Sequence, residues 1–139
     1  AAYLKVSDED LDALGANGKY LAYCQQLLQQ GSIQLIAFTQ GAEGATLLTT
    51  KESCFLPSTP PAQLADTVGA GDTYFSAMLA YIVHNRLIAE HASNFSLEQL
   101  AKINRFAGIA ASINVSRHGC NPPSYAEVTE YALCHNMPI

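Results

Sequence analysis

The stretch DTVGAGDTYF, residues 66–75, sets two glycines and two aspartates ahead of the apolar run AMLAYIVH, residues 77–84. A glycine-rich loop followed by such a run predicts a helix that starts at Gly69, Ala70 and Gly71. The first N–H groups of a helix have no intrahelical partner, and with the helix dipole behind them they form an anion site. The glycines let the backbone approach a phosphate and adopt positive φ. Asp72 follows at the start of the helix, where its carboxylate would repel a bound phosphate. Two readings of it stay open: a helix cap, or a general base that takes a proton from an attacking hydroxyl as a phosphoryl group passes over the N–H groups.

The remaining sequence fits one domain of 139 residues with a sizeable core, since 49% of residues are apolar and only 14% charged. A net charge of -5 with scattered Lys and Arg argues against nucleic acid or an anionic membrane as partner. No apolar run reaches the length of a membrane span, and no basic-then-apolar leader is present, so the expectation is a soluble, cytoplasmic protein. Cys24, Cys54, Cys120 and Cys134 share no metal or redox spacing and read as buried free thiols. His84, His91, His118 and His135 likewise share no ligand spacing.

Local patterns place the elements. Tyr3, Leu4 and Val6 read as the end of a strand, and Ser7 with Asp10 as a capping box for a short helix that Gly15 stops. Asn17 is expected to cap a second helix carrying Tyr20, Cys24, Leu27 and Leu28, closed by Gly31. SIQLIAFT reads as a strand covered on both faces, and ATLLT with CFLP as an antiparallel hairpin. Ser96 with Gln99 and Ser124 with Glu127 give two further capping boxes, the first opening a long helix rich in small residues. The pattern is α/β with too few strands for a complete covered sheet.

Two other phosphate signatures fail. Tyr74 stands where a dinucleotide-binding motif needs its third glycine, and no Gly-Lys-Ser or Gly-Lys-Thr occurs. DTVGAGDTYF instead resembles the signature D-T-x-G-A-G-D-x-F of the ribokinase-like (PfkB) carbohydrate kinases, departing only in Tyr74 at the usual Phe position. TQGAEG, residues 39–44, is similar to the family's T-x-G-x-x-G turn, with a plain hairpin turn as its other reading. RFAGIAASINVSRHGCNPP resembles the helix and loop near the adenine pocket, and KVSDED the family's N-x-x-E motif, with Asp8 for Glu and with Lys5 for Asn, the latter typical of fructokinase-like members.

The resemblance implies the C-terminal part of a ribokinase-like three-layer α/β/α fold, with the N-terminal half and the β lid absent. It makes residues 1–139 the ATP-side portion of a sugar kinase, acting on fructose first. The alternatives are 2-keto-3-deoxygluconate, ribose or a nucleoside as acceptor, or an inactive nucleotide-binding fragment. It assigns ATP contacts to Thr39, Gly41, Gly44, Gly69, Ala70, Gly71, Gly108 and Ser112, and the base role to Asp72. It implies a monovalent cation, usually potassium, at the side chain of Asp66 and the carbonyls of Val68, Asn114, Arg117 and Gly119. Magnesium arrives with ATP, and Asp8 either contacts it or only stabilises the first helix turn. The parent would join this portion to its own N-terminal half, and a homodimer of that parent fits the family.

Overall fold

The computed structural model describes residues 3–60, 69–117 and 121–139. Strand β1 (Tyr3–Ser7) leads through helices α1 (Asp8–Ala13) and α2 (Tyr20–Gln29) to β2 (Leu35–Thr39). β1 and β2 pair in parallel, Tyr3 opposite Leu35 and Ser7 opposite Thr39, so the two helices form the crossover that parallel neighbours require. β3 (Ala45–Leu48) and β4 (Ser53–Leu56) then add antiparallel, giving a sheet ordered β1-β2-β3-β4. Helices α3 (Ala70–His84), α4 (Leu97–Val115) and α5 (Tyr125–Cys134) complete the described chain.

Alternation along β2 makes the layers. Leu35 and Ala37 face a core shared with α3, α4 and α5, whereas Ile36 and Phe38 face a second core with Leu11 of α1 and Cys24 and Leu28 of α2. All four strand residues are buried, which is why this segment reads as a continuous apolar run rather than an alternating one. α3 and α4 pack closely, and α4 also covers β3 and β4. The result is a sheet with helices on both faces.

All three capping boxes form: Ser7 accepts from the Asp10 amide, Ser96 from Gln99 and Ser124 from Glu127, each returned by the partner side chain. Asn17 does not cap α2. It has φ 53 and is followed by Gly18 at φ 82, so the pair makes a left-handed turn, and the helix starts after Lys19 with no side-chain cap. Asn tolerates that conformation as readily as it caps, and here the turn wins. Cys24 and Cys54 are buried free thiols, and burial pushes Cys24 up to about 11. Cys134 is exposed, contrary to expectation, because Val128 and Ala132 supply the buried face of α5. Cys120 and His118 lie outside the described residues, and His84, His91 and His135 are exposed. Among the described residues no helix is long and apolar enough to cross a membrane.

Candidate nucleotide cleft

A cleft of about 750 Å³ opens where the parallel strands end, the place at which open α/β sheets bind ligands. Ser7 and Asp8 at the end of β1 line one side, with Lys5 behind them. Thr39, Gly41 and Gly44 line the next. The turn after β2 is a hairpin connection between β2 and β3, and it forms a wall of the cleft. It closes on itself through Gln40 N–H to the Gly44 carbonyl at 2.8 Å. Gly44 has φ 129, and a Cβ there would stand 2.3 Å from the Leu56 carbonyl oxygen and 2.9 Å from Pro57 Cα, so only glycine fits.

The third side is the first turn of α3. Gly69 is its N-cap, with φ 79 and no side chain to satisfy the orphan N–H groups, and Ala70 and Gly71 line the cleft. Gly71 keeps helical backbone; the space its Cβ would take holds the Lys5 side chain, with Nζ 2.8 Å and Cε 3.6 Å from that position. Asp72, third in the helix, is exposed on the same turn. Asp66 and Val68 lie outside the described residues, as does Gly119.

The fourth side is α4, where Gly108 and Ser112 face the cleft with Ala111 and Val115. Among the described residues nothing lies within 4 Å of a Cβ built on Gly108. Asn114 and Arg117 stand at the C-terminal end of this helix. The Asn114 carbonyl accepts from the Arg117 N–H at 3.1 Å and its side-chain oxygen from the Asn121 N–H at 3.0 Å, while the Arg117 guanidinium pairs with Glu127. Asp8 lines the cleft and also accepts from the Glu9 N–H at 2.9 Å, in the first turn of α1.

One residue that the sequence patterns did not single out holds the walls together. Asn104 of α4 accepts from the Tyr74 hydroxyl at 2.7 Å and donates to the carbonyls of Ala45 at 2.9 Å and Cys54 at 3.1 Å. Its side chain thereby joins α3, α4, β3 and β4, and it accounts for the extra hydroxyl of Tyr74 at the position where the signature has Phe. Burial pushes the Tyr74 phenol well above its usual range. Only a polar residue at a helix position otherwise read as core could have signalled this, because the partners lie 30 to 59 residues away. At the rim, Arg105 donates to the Pro138 carbonyl at 2.7 Å and holds the C-terminal segment against the cleft, where Met137 also lines it.

The family model described as pfkB family carbohydrate kinase matches residues 1–127. A fructokinase of Rhizobium leguminosarum bv. trifolii is 38% identical over 87 residues, covering 63% of this chain and 26% of that protein. The crystal structure of a fructokinase with bound ATP from Xylella fastidiosa superposes with a TM-score of 0.80 at 27% identity, covering 98% of this chain and 44% of the other. A ribokinase from Giardia lamblia superposes at 0.81 with 20% identity, again over 96% of this chain and 44% of the other, which shows the shared fold. The chain therefore spans less than half the length of these relatives.

Proposed function

This chain belongs to the pfkB family of carbohydrate kinases, and on that premise we propose that it is the ATP-side portion of a sugar kinase whose acceptor is fructose. The observation that carries the reading is the first turn of α3: a helix N-terminus at Gly69, with no side-chain cap among the described residues, opening into a cleft of nucleotide size. The N–H groups of that turn bind the γ-phosphoryl and stabilise its charge during transfer, and positioning with electrostatics supplies most of the rate in such reactions. The base of the nucleotide lies along α4 beside Gly108 and Ser112, where no group among the described residues fills the side-chain gap at Gly108. Thr39, Gly41 and Gly44 border the phosphates and ribose.

Asp72 takes the proton of the acceptor hydroxyl. Its exposure supports this role, since an acceptor then reaches the carboxylate from outside the nucleotide cleft. Magnesium enters with ATP, and the oxygen donors Asp8 and Glu9 at the cleft edge suit it. The potassium site at Asp66, Val68, Asn114, Arg117 and Gly119 rests on the resemblance, with the carbonyl end of α4 as its physical support. Fructose is favoured over 2-keto-3-deoxygluconate, ribose or a nucleoside by Lys5 and Asp8 in KVSDED and by the fructokinase relatives.

Short coverage of the relatives favours a second reading for the isolated chain: it binds nucleotide and does not turn over. ADP release dependent on both ATP and fructose, measured on the chain alone and joined to an N-terminal half, separates the two. In the joined enzyme Asp72→Asn lowers turnover by about 10²–10⁴ while ATP binding survives. Unchanged turnover removes Asp72 from the base role.

A further inference from the structure

The α4 side of the cleft is built from two parts of the chain that lie apart in sequence. Arg105, Gly108 and Ser112 follow one another at steps of three and four residues, so they share one side of α4, and all three line the cleft. Ser112 is only 7% exposed, and among the described residues its hydroxyl has no hydrogen bond. At Gly108 no described atom stands where a side chain would be. The second part is the segment after α5. Beyond the C-cap His135, Asn136 turns left-handed at φ 53, its N–H bonds the Leu133 carbonyl at 3.3 Å, and the Met137 N–H bonds the Ala132 carbonyl at 2.8 Å. These are the paired bonds of a Schellman cap, which turns Met137 back onto the core and into the cleft lining.

Such a cap needs only an apolar side chain at Met137. It does not need the following residue tied to another helix, yet the Arg105 guanidinium donates to the Pro138 carbonyl at 2.7 Å. That bond fixes Met137 beside α4, one helical turn from the gap at Gly108. We infer that Met137 is a contact face for the nucleotide base, latched in place by Arg105. A thioether suits the task, because it is polarisable and favourable against an aromatic ring. Met137 is the binding residue and Arg105 the positioning residue. The inference rests on the nucleotide reading above and adds a wall that neither glycine-rich motif contains.

The chain has two methionines, and Met78 is fully buried while Met137 is half-buried. Oxidation by dilute peroxide, read by mass spectrometry, therefore reports on the Met137 thioether without any substitution. Magnesium ATP and adenosine are expected to slow sulfoxide formation at Met137 in proportion to the fraction bound, whereas tripolyphosphate, which has no base, does not slow it. Calorimetric titration gives a second readout. Met137→Ala should weaken ATP and adenosine about 2- to 10-fold, the range for a sulfur–aromatic contact, and leave tripolyphosphate unchanged. Arg105→Leu, which keeps much of the apolar stem, should do the same and add nothing in the Met137→Ala background, with Arg105→Lys recovering part of the loss. ATP that binds without slowing Met137 oxidation overturns the contact, whether or not the variants fold, while the nucleotide reading stands. Losses that add in the double variant, or that extend equally to tripolyphosphate, overturn the latch. A wild-type chain that binds neither ATP nor adenosine overturns the nucleotide reading and this inference with it.

Discussion

Gly44 and Gly108 face the same cleft, yet one is explained by the protein and the other is not. At Gly44 the backbone is left-handed and the Leu56 carbonyl stands 2.3 Å from where a Cβ would be. The fold itself forbids a side chain. At Gly108 the backbone is helical, no described atom is near, and glycine in mid-helix costs stability relative to alanine. A residue that weakens its own helix without a packing reason points to something outside the protein that uses the space. The contrast separates the part of the cleft that the sheet dictates from the part that the proposed nucleotide would use.

The sharpest way to break this contrast is Gly44→Ala. Strain at φ 129 and a collision with backbone that cannot swing aside should destabilise the chain by about 3 kcal/mol or more; chemical denaturation showing a near-neutral change would remove the distinction. Next is Tyr74→Phe, which leaves the buried Asn104 side-chain oxygen without its donor and should cost about 1–3 kcal/mol. The same variant has a pH signature. The raised folded value means that the wild-type contribution is intact below the ordinary tyrosine value of 10.0 and fades as pH rises above it, so stability measured across that range should fall less steeply in the phenylalanine form.

Gly108→Ala should move stability and binding in opposite directions. The helix gains about 0.5–1 kcal/mol, while the methyl group intrudes on the base and weakens ATP about tenfold. A variant that is more stable and binds ATP unimpaired would return Gly108 to the protein's own account. Smallest in scope is Ser96→Ala, which removes the cap of α4 at a cost of about 1 kcal/mol and should leave ATP binding unchanged. It is the control for the start of α3, which among the described residues has no side-chain cap, since the two helices lie side by side.

What the sequence made legible was whatever is decided within a few residues. Ser7 with Asp10, Ser96 with Gln99 and Ser124 with Glu127 announce their helices because both halves of each box lie three positions apart. The buried run ending in Thr39 announces a covered strand, although only Leu35 to Thr39 pair, and the glycine-rich stretch announces a helix start. Asn17 misled because turn and cap draw on the same side-chain chemistry. The role of Asn104 and the Lys5 contact with Gly71 depend on residues brought together from opposite ends of the fold, and no local pattern records such a meeting.

The Asn104 side chain has a dynamic consequence. Its three hydrogen bonds tie one carbonyl of β3, one of β4 and a phenol of α3 to a single residue of α4, all out of reach of water. None of these elements can leave the others without stranding a polar group, so they should open as one unit rather than fray in turn. Amide exchange along β3, β4 and the middles of α3 and α4 should then share one slow rate, with α2, on the other side of the sheet, free to exchange on a schedule of its own.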